Sequence, residues 1–281
     1  MPEGDTIYQL ATYLGEVLGG RSVLRGFARL DRGQVPMDLA GRRVAGVNAH
    51  GKHLFLLFED GSRLRSHLGM RGSWHAYGPA QRWQRSPRQA SIMLDTGTQV
   101  LVCFNALQVE WLREGSVRQR SLAVSLGPDL LASRPDWQRI VARARQLTGG
   151  DVPIAEVLLD QRIACGIGNV YKSEVLFLQA CHPATAVADC ADDAVIEMFM
   201  SAHRLLMRNR TGGARLTRWP DDGRGRHWVY GRNGRPCLRC GTTIAMARLG
   251  SKPRSSYWCP GCQPDHRTGP DLDLDPDREP G

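Results

Sequence analysis

This 281-residue sequence lacks the features of membrane and secreted proteins. No stretch approaches the roughly 18 consecutive apolar residues that a membrane helix needs. The first 20 residues carry Glu3, Asp5 and Glu16, so they lack the basic start and apolar centre of a secretion signal. No internal repeat is visible. We therefore expect a cytoplasmic protein, long enough for one large domain or two moderate ones.

Basic residues outnumber acidic ones, and the acids are unevenly distributed. The formal net charge is +9, but residues 263–281 alone hold six acids and two arginines. Without that segment, 35 basic and 22 acidic residues remain, a net charge of +13. Such an excess is typical of a protein that binds a polyanion, although a basic surface with no such partner is the alternative.

The apolar pattern divides the chain into a β half and a helical half. Residues 3–19 have helical spacing that ends at Gly19 and Gly20, which predicts an amphipathic first helix. From about residue 21 to 125, short apolar runs alternate with turn residues, as in an antiparallel sandwich or barrel. These runs are 44–47, 54–58, 92–94, 100–104 and 109–112.

Helical periodicity returns between Trp137 and about Arg210, after a linker near residues 125–135. The next segment, 211–235, is rich in Gly and Arg and is predicted to be a mobile surface loop. After Cys262 the chain is rich in Asp and Pro and has no aromatic residue, which predicts disorder.

The eight cysteines form two groups. Cys103, Cys165, Cys181 and Cys190 have no paired spacing and lie among apolar residues, so we expect buried reduced thiols rather than disulfides. The other four form two Cys-x-x-Cys pairs separated by 18 residues, Cys237 with Cys240 and Cys259 with Cys262.

That spacing predicts a four-thiolate zinc site, with two disulfides as the alternative. Four protein ligands leave no open position for a catalytic water, so the Zn²⁺ is predicted to be structural. Residues 242–258 have the length of a β-hairpin. Its basic and hydroxyl side chains suit a phosphate, unless they form a solvated loop. They are Arg248, Ser251, Lys252, Arg254, Ser255 and Ser256.

A Gly-x-Gly-Asn turn, Gly166 to Asn169, lies between two apolar segments. Asn169 is a good N-cap for the second predicted helix. The free backbone amides of that helix's first turn, together with the Asn side chain, suit a phosphate. A simple helical hairpin is the alternative.

Four separated motifs together resemble the formamidopyrimidine-DNA glycosylase and endonuclease VIII superfamily. They are Met-Pro-Glu-Gly-Asp-Thr at the start, Gly51-Lys52 before an apolar strand, the Leu-Asp-Gln to Gly-Ile-Gly-Asn segment, and the Cys-Pro-Gly-Cys-Gln end of the cysteine cluster. The resemblance implies an α+β multidomain protein that binds damaged double-stranded DNA in a cleft. Its parts would be a helix with an antiparallel β-sandwich (1–125), a helix-two-turn-helix domain (126–225) and a zinc-finger hairpin (226–263). The resemblance ends at residue 263, and the composition of residues 264–281 predicts an acidic disordered tail.

The resemblance also implies a bifunctional glycosylase and abasic-site lyase with Pro2 as the nucleophile. Removal of Met1 would expose a secondary amine, and an α-amino group with a pKa near 8 is partly unprotonated at neutral pH. Attack on the sugar C1′ would form an iminium, and β- and then δ-elimination would cut the strand.

The remaining implied roles follow the same motifs. Glu3 would act as general acid and base. Lys52 would contact the phosphate and assist elimination, and Arg254 would be a further catalytic residue that grips the phosphates around the flipped nucleotide and is associated with δ-elimination. Asn169 would bind a phosphate, and Lys172 is expected to contact DNA. Met70 resembles the wedge that fills the gap left by a flipped nucleotide, unless it is a core residue, and Arg71 would read the opposite base.

Three features bear on the substrate. The start Pro-Glu-Gly resembles endonuclease VIII, which prefers oxidised pyrimidines, and Asn105 to Glu110 replaces the Arg-Arg-Phe-Gly element of the 8-oxoguanine branch. In contrast, Leu68-Gly69-Met70 resembles that branch, and Thr6 replaces an acid common to both. We expect oxidised pyrimidines, with formamidopyrimidine and 8-oxoguanine as the alternative.

Two other classes of protein explain less of the sequence. A non-catalytic zinc-finger lesion sensor would have no need for Pro2, Glu3 and Lys52, and an RNA-binding ribosomal-type protein would explain only the charge. We expect a monomer that acts on duplex DNA, with bubble or single-stranded DNA as further substrates.

Overall fold

The structure, a computed structural model, describes residues 2–31, 35–219, 222–251 and 253–265. Lys252 lies outside these residues, as does nearly all of the predicted acidic tail. Among the described residues, none of the helices combines the length and hydrophobicity needed to span a bilayer.

The N-terminal part is a helix packed on two antiparallel sheets. Helix α1 spans Gly4–Leu18. One sheet has the strand order β2-β1-β7-β8-β6 and the other β3-β4-β5-β9. The strands are β1 (Arg25–Ala28), β2 (Met37–Asp38), β3 (Val44–His50), β4 (His53–Phe58), β5 (Arg63–His67), β6 (Ser73–Tyr77), β7 (Ala90–Asp95), β8 (Val100–Phe104) and β9 (Gln108–Leu112).

Both sheets and α1 contribute to one apolar core. Ile7, Leu14 and Leu18 of α1 are buried in the same apolar cluster as Leu54 of β4 and Ile92 of β7, which come from different sheets. Burial of the matched apolar faces is the main favourable term in this packing. The predicted helix and β-sandwich are confirmed.

In the part of the chain that the structure describes, the sandwich is followed by the α-helices α2 (Val117–Ser125), α3 (Trp137–Leu147), α4 (Ile154–Leu159), α5 (Asn169–Leu178) and α6 (Asp192–Asn209). Helices α3 to α6 enclose a second apolar core that includes Tyr171, Val175 and Phe199. The four cysteines outside the Cys-x-x-Cys pairs are free thiols. Cys103, Cys165 and Cys190 are buried, and Cys181 is half-buried.

The segment 211–235 is not simply a surface loop, which corrects the prediction. Thr217, Arg218 and Val229 are buried. The Glu174 carboxylate of α5 accepts hydrogen bonds from the backbone N–H groups of Trp228, Val229 and Tyr230 at 2.8–2.9 Å. The segment has few apolar residues and is held by hydrogen bonds to Glu174, so its apolar pattern does not predict its burial.

The cysteine ribbon contains the expected hairpin, β10 (Ala245–Leu249) paired with β11 (Arg254–Trp258). Cys237, Ile244 and Cys259 share a small core with Phe177 of α5. The hairpin therefore packs on the same helix that begins at the Gly-x-Gly-Asn turn.

A candidate active site where the three parts meet

A cavity of about 780 Å³ lies between the sandwich, the helical part and the cysteine hairpin. We call it the central cavity. Six of the eight residues predicted for catalysis or DNA binding line it: Pro2, Lys52, Met70, Arg71, Asn169 and Arg254. The other two, Glu3 and Lys172, are fully buried behind it.

The Glu3 carboxylate is held by the start of α5. Its oxygens accept hydrogen bonds from the backbone N–H groups of Gly168 at 2.7 Å and Val170 at 2.9 Å, with Tyr171 at 3.5 Å. A helix N-terminus offers such unpaired amides and favours negative charge. Glu3 therefore occupies the anion site that the sequence assigned to a DNA phosphate, and that assignment is corrected.

Glycines permit this close approach. A Cβ added at Gly168 would lie 2.4 Å from Cδ of Glu3, and one at Gly4 would lie 2.9 Å from Cα of Gly166. The Gly4 N–H also donates to the Gly166 carbonyl at 2.9 Å. The first residues of the chain are thus fixed on the Gly-x-Gly-Asn turn, and Pro2 is placed at the cavity wall.

A buried charge network lies beside Glu3. The Arg215 guanidinium donates to Asp5 through Nε at 2.8 Å and Nη2 at 2.6 Å, and to the Thr6 hydroxyl at 2.8 Å. Its Nη1 lies 3.7 Å from Glu3 Oε1. The Tyr171 hydroxyl donates to Asp5 at 2.9 Å. Arg215 falls in the segment without apolar periodicity, so no sequence signal pointed to it.

Burial and charge shift the pKa values of the central groups. Burial raises the pKa of Glu3, while Arg215, the amide donors and Lys52 oppose the shift. Burial lowers the pKa of Lys52, opposed by Glu3 and Cys165. Glu3 can therefore hold a proton at a higher pH than an exposed carboxyl can, and Lys52 can lose one at a lower pH than an exposed lysine can.

Lys52 lies in the tight turn between β3 and β4. Gly51 has a positive φ of 54°, and a Cβ there would lie 2.4 Å from Cβ of Cys165. The Gly51 N–H donates to Asp129 at 3.0 Å. These contacts fix the turn against the helical part, so that Lys52 reaches the same cavity as Pro2.

The expected DNA contact of Lys172 does not fit the structure. Its ammonium donates to the Ser255 carbonyl and the Ser256 hydroxyl, each at 2.8 Å, and to Asn169 Oδ1 at 3.3 Å. Burial lowers its pKa to about 8. Lys172 instead ties α5 to the cysteine hairpin that carries Arg254.

Asn169 is the first residue of α5 and not its N-cap, which is Gly168. Its side chain accepts from Lys172, and the residue still lines the central cavity. The hairpin serines also differ from expectation. Ser256 is bonded to Lys172, and the Ser251 N–H and hydroxyl donate to Glu156, each at 2.8 Å.

The turn between β5 and β6 presents Met70 to solvent, 67% exposed, so it is not a core residue. Leu107, 65% exposed, lies beside this turn, since a Cβ on Gly69 would be 2.8 Å from Leu107 Cβ. Sequence reasoning missed Leu107. It also missed His67, which lines the cavity and whose pKa is lowered to about 4 by burial. His67 directly precedes Leu68-Gly69-Met70, and this position could have indicated that it lies near the site.

The four predicted zinc ligands come together. The Sγ atoms of Cys237, Cys240, Cys259 and Cys262 all lie within 4.8 Å of one another. Two Sγ pairs, 237 with 262 and 240 with 259, are 3.9 and 3.4 Å apart. A tetrahedral site with Zn–S bonds of about 2.3 Å needs such separations. The cluster thus fits one structural Zn²⁺.

Three protein-family models match successive parts of the chain and together cover most of it. Residues 1–107 match the formamidopyrimidine-DNA glycosylase N-terminal domain, and residues 126–214 match the H2TH domain of the same enzyme. Residues 234–264 match the zinc finger found in FPG and IleRS.

Relatives match over nearly the full length. A probable endonuclease 8 2 of Streptomyces coelicolor is 41% identical over 96% of this chain and 98% of its own. The DNA-(apurinic or apyrimidinic site) lyase Nei2 of Mycolicibacterium smegmatis is 37% identical over 94% and 99%. The fold is similar to that of Lactococcus lactis formamidopyrimidine-DNA glycosylase bound to abasic-site DNA, with a TM-score of 0.78, 22% identity and coverage of 94% and 100%.

Proposed function

This chain belongs to the formamidopyrimidine-DNA glycosylase and endonuclease VIII family, which makes it a DNA-repair glycosylase and lyase, and we propose that the Pro2 amine is its nucleophile. One observation carries the proposal. Pro2 lines the central cavity while the adjacent Glu3 is clamped to α5, so an amine and a proton donor are held side by side.

The proposed reaction begins after Met1 is removed. The neutral Pro2 nitrogen attacks C1′ of a flipped nucleotide, the glycosidic bond breaks and the base leaves, and the C1′–O4′ bond then opens to give a C4′ hydroxyl. The departing base and O4′ each take up a proton, one from the amine N–H and one from Glu3, and C1′ is left bound to Pro2 as an iminium. The resulting iminium acidifies the C2′ hydrogens. Loss of a C2′ proton expels the 3′ phosphate, and a second elimination expels the 5′ phosphate. Lys52, Asn169 and Arg254 hold the phosphates at the cavity.

Lys52 is the rival nucleophile, because its pKa is lowered and it faces the same cavity. The test is borohydride trapping on duplexes that contain an abasic site or thymine glycol, with the adduct located by peptide mass mapping. We expect the adduct on residue 2, less trapping with Pro2→Gly, and persistent trapping with Lys52→Met. An adduct on Lys52, or none on either duplex, would refute the proposal.

We further propose that oxidised pyrimidines are the preferred lesions. The Pro-Glu-Gly start and the absence of the Arg-Arg-Phe-Gly element support this, as do relatives named endonuclease 8. Met70 would fill the gap left by the flipped nucleotide, with Arg71 beside it facing the opposite base. Single-turnover rates on matched thymine glycol and 8-oxoguanine duplexes test this. Faster release of 8-oxoguanine would contradict the proposed preference.

A further inference from the structure

We propose that residues 78–89, between β6 and β7, form a second DNA-binding site that holds the phosphate backbone outside the central cavity. We call this segment the arginine loop. It carries Arg82, Arg85 and Arg88 and no acidic residue. The inference rests on the proposed function, since it assumes that DNA lies across the central cavity.

The arginine loop is positively charged. Arg82 and Arg88 are exposed, Arg85 is half-buried, and no described residue forms an ion pair with any of them. Some exposed arginines elsewhere in the protein are paired, such as Arg43 with Glu59 and Arg204 with Glu197, whereas none of the three in this loop is paired with a described residue. Three unneutralised guanidinium groups in seven residues suit a polyanion, because each can release a counterion from DNA.

Ring packing and hydrogen bonds hold the arginine loop in place. The Trp83 ring packs on Tyr77 and Phe104, with centroids 6.3 and 5.8 Å apart. The Gln84 N–H donates to the Tyr77 hydroxyl at 3.2 Å, and Arg29 Nη1 donates to the Arg88 carbonyl at 2.7 Å. A loop that is already ordered loses little conformational entropy when it binds a ligand.

The arginine loop lies next to the central cavity. The loop ends at Gln89, which lines the central cavity, and the Gln89 carbonyl accepts from the N–H of Asn105, another lining residue, at 2.9 Å. The loop also surrounds a small recess of about 290 Å³ lined by residues 82–87. A duplex bound at the cavity would thus have its flanking phosphates near these arginines, which position the backbone without reading sequence.

The test compares variants that remove the same charge at different places. One variant combines R82Q, R85Q and R88Q. Its control combines R113Q, R120Q and R139Q, exposed arginines that do not line the central cavity. A third variant replaces the three loop arginines with lysine and so keeps the charge. Binding to a roughly 25-base-pair abasic duplex is measured at several salt concentrations.

We expect the loop variant to bind about tenfold or more weakly near 0.1 M salt, and its log–log salt slope to fall by about 2 to 3. The control and the lysine variant should keep the slope of the wild type. On duplexes trimmed toward the lesion from the side that meets the loop, wild type and loop variant should converge.

Equal affinity and slope for the loop variant and the wild type would overturn the inference. Equal losses in the loop variant and the control would also overturn it, because net charge alone would then account for the effect. Thermal unfolding of all variants checks that they are folded. Failure of the wild type to trap an abasic site would instead refute the proposed function, so the two failures are distinguishable.

Discussion

Gly168→Ala tests whether the position of Glu3 controls base release. The φ of Gly168 is −122°, a conformation open to any residue, so the substitution adds no backbone strain. Its new Cβ would lie 2.4 Å from Cδ and 2.7 Å from Cγ and Oε1 of Glu3. The carboxylate must move away from the Gly168 and Val170 amides, which now donate to it at 2.7 and 2.9 Å.

The loss of stability expected for Gly168→Ala follows from these contacts. Hydrogen bonds to a charged group contribute about 1.5–3 kcal/mol each, and overpacking adds roughly 1–3 kcal/mol. We expect a fall of about 2–4 kcal/mol in the free energy of unfolding, because some donors will find new partners. A displaced general acid should slow base release by about 100-fold.

Two measurements separate the effects of Gly168→Ala. Urea unfolding gives stability, and single-turnover assays compare a damaged base with a preformed abasic site. Base release should slow more than strand cleavage at the abasic site, which needs no departing base. Gly15→Ala in α1 is the matched control, because its Cβ meets nothing within 4 Å and should stabilise the helix. Wild-type base release by a folded Gly168→Ala variant would refute the role of this carboxylate.

Three further predictions concern the cysteine hairpin. Between about pH 8 and 10.5, Lys172 binds fewer protons in the folded chain than in the unfolded chain, because its pKa is lowered on folding. The free energy of unfolding of the wild type, measured relative to that of Lys172→Met, should therefore rise by up to roughly 3 kcal/mol as the pH increases across that range. A flat difference in urea unfolding across that range would contradict this. Glu156→Ala frees the hairpin tip at Ser251 and should weaken abasic-duplex binding about threefold to tenfold, whereas Glu197→Ala should not. A strong zinc chelator should lower the thermal midpoint and expose four reactive thiols, since structural zinc contributes on the order of 10 kcal/mol in zinc fingers; an unchanged midpoint would argue against a structural metal.

The fold was predictable where periodicity is strong. Helix α1 and strands β3, β4, β7, β8 and β9 follow apolar runs that turn residues separate. Strands β1, β2, β5 and β6 were missed because they are short or polar. For example, β5 reads Arg-Leu-Arg-Ser-His, and its buried Arg65 is paired with Glu110 of β9 at 2.9 Å. Such a strand is stabilised by a distant partner that local sequence does not reveal.

The candidate site was predictable through motifs and not through contacts. Pro2, Lys52, Asn169 and Arg254 are far apart in sequence, and only the family resemblance implied that they meet. The assignment of a DNA contact to Lys172 failed because a lysine on a predicted helix gives no sign of a buried partner. In the structure its partners are Ser255 and Ser256, more than 80 residues away.

The local sequence also does not reveal the partner of the amides in the Gly-x-Gly-Asn turn. A helix N-terminus indicates an anion, but it does not indicate which anion, and here the protein supplies its own in Glu3. The consequence is mechanistic. Since Gly4 and Glu3 are bonded to the turn before α5, the packing of α1 against the helical part sets the position of Pro2. A substitution that loosens that contact should therefore displace the amine and the proton donor together.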